Sequence, residues 1–99
     1  MKLYEILIPI ASNDGTPYSI EFHQKWDGEI VKRLGGLTLA KTAFDGIYKN
    51  SMREKTIAVR VACDPSDIYP VLGFTADYYD QKAIMAYEVS PHVIIYEKV

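Results

Sequence analysis

The chain has 99 residues, 48% of them hydrophobic and 24% charged, with a formal net charge of −2. That length gives one domain over residues 1–99 with a thin core, and the balance is that of a soluble globular protein. Lysines and arginines are scattered singly, which excludes the basic field that holds nucleic acid or an anionic membrane surface.

Residues 3–10 alternate as a strand, with Tyr4, Ile6, Ile8 and Ile10 on one side and Leu3, Glu5 and Leu7 on the other. Both sides are largely apolar, as in a central strand covered on both faces. The first residues carry charge inside an apolar stretch and no cleavage pattern, so they do not read as a secretory signal. Asn13-Asp14-Gly15 is a turn signal, and Thr16-Pro17 has the form of a helix cap followed by proline at the first helical position. A helix is predicted over residues 18–34, where Phe22, Trp26, Ile30, Val31 and Leu34 recur at helical spacing. Gly35-Gly36 ends it, since glycine accepts the left-handed backbone of a helix C-terminus.

A second strand is predicted over 38–48, with Asp45-Gly46 as a bulge and the turn at 49–51, and a third over 55–63. In the third, Ile57, Val59, Val61 and Cys63 share a face, and Ala58, Arg60 and Ala62 share the other. The lone Cys63 has no disulfide partner in the chain and reads as a small buried hydrophobe, compatible with a reducing compartment. Asp64-Pro65 opens a second helix whose buried stripe is Ile68, Val71, Leu72, Thr75 and Tyr79. Pro70 conflicts with that start, because an interior proline removes a hydrogen bond. Asp80 ends the helix, residues 81–89 form a fourth strand, and 92–99 a short fifth.

Strand-helix-strand-strand-helix-strand is the order of an α+β ferredoxin-like sandwich, here with an extra C-terminal strand. Both helices then cover one sheet face. The other carries Leu3, Leu7, Ala58, Ala62 and part of the fourth strand, too apolar to face water, so a second copy is expected to cover it. No apolar run is long enough to span a membrane, and a cytoplasmic location is expected.

No motif calls for a cofactor or a metal. His23 and His92 stand on separate elements without partners at ligand spacing, and His23 reads as a boundary residue of the first helix. The chain has eight tyrosines, a residue that suits subunit interfaces and pocket walls alike. Glu5 and Arg60 fall opposite each other if the first and third strands are neighbours, as an ion pair or with Arg60 free for an anionic ligand. A small-molecule site is expected to use Asn13, Asp14 and Thr16 of the first loop with Thr38, Tyr48 and Arg60. The loop would offer backbone N–H groups and the positive end of a helix dipole, Arg60 a fixed charge, and Tyr48 an aromatic wall. The loop lies at the sheet edge and Arg60 near its middle, so a neighbouring subunit is needed to complete the site.

The segments Lys2-Leu3-Tyr4-Glu5-Ile6, Asn13-Asp14-Gly15, Gly35-Gly36-Leu37-Thr38, Gly46-Ile47-Tyr48 and Tyr79-Asp80-Gln81-Lys82-Ala83-Ile84-Met85 together resemble a loosely defined group of small uncharacterised proteins from bacterial and phage genomes. The resemblance implies a ferredoxin-like oligomer, with a phage genome as one source, and supplies no catalytic residues. The expected function is that of a non-enzymatic oligomeric protein, a homodimer or larger, that binds a small anionic molecule or a protein partner; a phage version would sequester a host signalling molecule. The competing expectations are a cofactor-independent oxygenase or isomerase of the dimeric α/β-barrel kind, with His23 or a tyrosine as acid or base, and a purely structural assembly subunit.

Overall fold

The structure, a computed structural model, describes residues 1–34, 39–41, 56–96 and 98. Within them the chain runs β1 (Lys2–Pro9), α1 (Ile20–Arg33), β2 (Leu39–Lys41), β3 (Thr56–Cys63), α2 (Pro65–Tyr78) and β4 (Ala86–Ser90). The strands form one sheet in the order β2-β3-β1-β4, antiparallel at every junction. Each helix links strands that flank a third, β1 to β2 around β3 and β3 to β4 around β1. The class is α+β, an antiparallel sheet carrying two helices.

The pairing of β1 with β3 sets the two faces. Tyr4 stands opposite Val61, Ile6 opposite Val59 and Ile8 opposite Ile57. With a side-chain period of two, this puts every large β-branched residue of both strands on one face. Ile6, Ile8, Ile57, Val59, Val61 and Cys63 are buried there against Trp26, Ile30 and Leu34 of the first helix and Ile68, Val71 and Tyr79 of the second. Burying a side chain of this size contributes about 1.5–3 kcal/mol, so this single cluster dominates the stability of the fold. Trp26, predicted to face inward, is fully buried.

The first helix starts later than its sequence suggests. Ala11 bridges to Pro17 and the Tyr18 N–H donates to the Ile10 carbonyl at 2.9 Å, which pins residues 17–18 in extended backbone beside the end of β1. The cap is therefore Ser19, whose hydroxyl accepts the Phe22 N–H at 3.1 Å, in place of Thr16. The second helix starts at Asp64-Pro65 as predicted and runs through Pro70. Pro70 lies on the exposed side, where water can meet the carbonyl that proline leaves without a donor. That helix closes with Gln81 N–H on the Ala76 carbonyl (2.9 Å) and Asp80 N–H on the Asp77 carbonyl (3.3 Å), the Schellman arrangement. It requires a left-handed residue, and Asp80 takes it at φ 51° where glycine is usual.

Because Gln81 is engaged in that cap, the fourth strand begins at Ala86 rather than at residue 81. The fifth strand predicted over 92–99 is not present at residues 92–96, which pair with no strand. The Gly35-Gly36 hinge, the bulge at Asp45-Gly46 and the turn at 49–51 lie outside the described residues. No described helix is long and apolar enough to cross a membrane.

Candidate functional site

The sheet face away from the helices holds Leu3, Glu5 and Leu7 of β1 opposite Ala62, Arg60 and Ala58 of β3, with Tyr87 of β4 beside Glu5. Neither described helix packs on it. The predicted Glu5–Arg60 pair is formed, with Arg60 Nε donating to Glu5 Oε1 at 3.3 Å. The pair is uneven: the Glu5 side chain is 9% exposed and that of Arg60 45%. Glu5 is shut in by its neighbours, and the half-exposed Arg60 is the group that meets its charge.

At one end of this face lies a groove of about 740 Å³. Leu7, Pro9, Ile84 and Met85 make its apolar wall, and Asn13, Gly15 and Gln81 its polar rim. The rim is built by the turn that follows β1. Ser12 N–H donates to the Thr16 carbonyl at 2.8 Å and Gly15 N–H to the Ser12 carbonyl at 2.9 Å. Gly15, at φ 89°, has a backbone that an L side chain would strain. The Asp14 carboxylate accepts the Ser12 hydroxyl and the Thr16 N–H, and these bonds, the Ser12 hydroxyl foremost, hold its pKa down at about 2. Asn13 ties the rim to the end of α2: its Nδ2 donates to the Asp80 carbonyl, and its Oδ1 accepts from Gln81 Nε2, both at 3.0 Å.

The predicted site residues therefore separate. Asn13 lines the groove, while Asp14 and Thr16 fold the turn that shapes it. The loop amides of Ser12, Gly15 and Thr16 are spent within the turn, and Asp14 places a negative charge beside it, so the loop is a weaker anion cradle than its sequence suggests. Arg60 sits on the open face and is not among the groove residues. Thr38 and Tyr48 lie outside the described residues. Sequence reasoning missed Gln81, Ile84 and Met85 as groove residues, having assigned them to a strand; Asp80-Gln81 after a helical stripe was the available sign of a cap instead.

A second polar assembly lies inside the protein. His23 Nδ1 is 2.7 Å from the Tyr79 hydroxyl, and both residues are buried; His23 is a core residue rather than the boundary residue its sequence suggests. Trp26 Nε1 donates to Thr75 Oγ1 at 3.0 Å, which donates to the Val71 carbonyl at 2.7 Å. Tyr78 donates to the Phe22 carbonyl at 2.6 Å and Tyr18 to that of Tyr79 at 3.1 Å. Burial raises the pKa of both Tyr18 and Tyr78. Tyr18 also stacks on Phe22, their ring centroids 4.6 Å apart. Apart from the Thr75–Val71 bond within α2, each bond joins a group on α1 or its approach to one on α2 or its cap, so the network fixes how the two helices sit on the sheet. Burial also pushes the Cys63 thiol up to about 11, which leaves it protonated and unreactive. Among the described residues, no group of three or more His, Cys, Asp or Glu stands placed to hold a metal ion.

No family model matches the chain, and no curated protein or solved structure is significantly similar to it.

Proposed function

We propose that the chain is a non-enzymatic binding protein that works as an assembly of copies, built on a ferredoxin-like sandwich. The element order and the strand order β2-β3-β1-β4 support that topology. The observation that carries the function is the open sheet face. Leu3, Leu7 and Ala58 of the two central strands are half-buried there and Ala62 is buried, while Tyr87 is 47% exposed and Met85 67% exposed, and neither described helix covers them. Exposed apolar residues beside a half-buried apolar face support a protein-binding surface. The Glu5–Arg60 pair at its centre supplies orientation, since a polar pair within an apolar patch penalises misaligned docking.

The partner favoured here is a protein surface, a copy of the chain first. A small anion has less to hold it, because Glu5 engages Arg60 and Asp14 sets a negative charge beside the groove. The groove itself, an apolar wall with an amide rim, suits an uncharged ligand or an apolar side chain of a partner. An acid–base enzyme finds no support in the His23–Tyr79 pair, which lies in the helix–sheet core and not in the groove. Native mass spectrometry of protein purified from its own host tests the proposal, since it reports stoichiometry and retained ligand together. A multiple of the chain mass is expected. A bare monomer at micromolar concentration overturns the assembly; a monomer carrying a small molecule replaces it with a small-ligand function.

A further inference from the structure

Six of the nine large hydrophobic residues that the described chain leaves exposed fall within a short stretch: Met85, Tyr87, Val89, Ile94, Ile95 and Tyr96. Ile94 is 92% exposed, Ile95 54% and Tyr96 85%. Three consecutive residues of high strand propensity thus stand in water without a strand partner, directly after a strand that ends the sheet. The outer edge of β4 is a row of backbone donors and acceptors of the kind that recruits another strand. The segment does not fold back onto that edge. Instead the Ser90 hydroxyl donates to the His92 carbonyl at 2.9 Å and accepts the His92 N–H at 3.3 Å, so a side chain satisfies the groups that a hairpin ladder would use. Pro91 between them has a fixed φ and no N–H to give to a ladder.

We propose that residues 93–96 are an exchange arm that pairs antiparallel with β4 of a second copy, each copy giving its arm to the other about a two-fold axis at Pro91. This deepens the assembly proposed above by naming its interface. With the axis at residue 91, Tyr87 of one copy meets Ile95 of the other and Ala86 meets Tyr96, both in the part of β4 whose pairing with β1 is regular; the irregularity of β4 lies between Glu88 and Ser90. These are aromatic–aliphatic pairs, a combination that stabilises neighbouring strands. Self-complementarity under a two-fold is the condition for a closed dimer, and one short segment meets it here. The two sheets become one continuous sheet, and no β4 edge remains open. Tyr87 belongs to the open face, beside Glu5, so Ile95 of the second copy extends that face across the junction.

Cysteines at the paired positions test the register in the full chain. Tyr87→Cys with Ile95→Cys should give a disulfide-linked dimer on mild oxidation, while either substitution alone should give none. The buried Cys63 does not compete. A disulfide closed within one chain means that the arm folds back as a hairpin and overturns the proposal; no disulfide at all overturns it equally. As a second measurement, Ile94→Glu with Tyr96→Glu changes side chains that are exposed in the single chain, so folding is retained, as circular dichroism should show. Sedimentation should then report at least about a tenfold weaker association. If the parent associates and this variant associates equally well, the arm is refuted and the assembly stands on another surface. If the parent is itself a monomer, both fall.

Discussion

Thr75 is the polar centre of the core, and replacing it with valine isolates a single hydrogen bond. Valine has nearly the shape of threonine, is β-branched like it, and has similar helix propensity, so packing and backbone cost are close to unchanged. What is lost is the hydroxyl that accepts Trp26 Nε1–H at 3.0 Å and donates to the Val71 carbonyl at 2.7 Å. The Val71 carbonyl keeps the backbone bond of its helical turn. The indole N–H does not recover, because Trp26 is fully buried and water cannot reach it. A buried donor left without an acceptor costs about 1–3 kcal/mol. For a domain near 100 residues each kcal/mol lowers Tm by roughly 4–8 °C, so Thr75→Val should lower it by about 4–24 °C, centred near 12 °C. Trp26→Phe removes the donor and supplies the control. Thr75→Val should cost its full amount with Trp26 present and well under half of that in the Trp26→Phe background. Urea denaturation followed by circular dichroism measures all four corners of the cycle. Equal costs in the two backgrounds, or a Thr75→Val variant as stable as the parent, would refute the assignment of this bond as a stabilising link between the helices.

Trp26→Ala should cost roughly 3–5 kcal/mol, read as a fall in the urea midpoint, because the residue fills the space between both helices and the sheet. Asp80→Gly should raise stability by up to about 1 kcal/mol, since glycine takes the left-handed position at φ 51° without strain while the Asn13 bond to the backbone carbonyl is kept; a lowered Tm would contradict this. The Asp14 carboxyl should titrate near 2 by NMR, and Ser12→Ala should move it back toward 3.8. Its folded pKa lies below its unfolded value, so the stability it lends the turn is present above about pH 4 and is lost as pH falls toward 2. Arg60→Ala strands the nearly buried Glu5 carboxylate and should destabilise the fold by about 1–2 kcal/mol at neutral pH, a penalty that Glu5→Gln in the same chain should largely remove.

The periodicity of β1 and β3 by itself determined the two faces of the sheet. A one-residue slip would turn Ile6, Ile8, Val59 and Val61 to the wrong face; among the registers that keep them buried, the tertiary structure takes the one that sets Glu5 opposite Arg60. Helical spacing likewise determined that Trp26 and Ile30 face inward, and Asp64-Pro65 determined where the second helix starts. Local signals failed where a distant bond outweighed them. Thr16-Pro17 has the form of a helix cap, but the bridge from Pro17 to Ala11 holds it extended and the cap passes to Ser19. Residues 81–85 alternate like a strand, but Gln81 is drawn into the helix cap and onto Asn13, and that bond brings the loop and the 81–85 segment together around the groove. His23 is one polar residue at the edge of an apolar stripe, and only the packing of α2 across α1 buries it against Tyr79. The apolar run at residues 93–96 is plain in the sequence, but whether it finds a partner within its own sheet depends on which edge lies within reach. Tertiary structure decided that the segment leaves the sheet after Ser90 and exposes Ile94 and Tyr96.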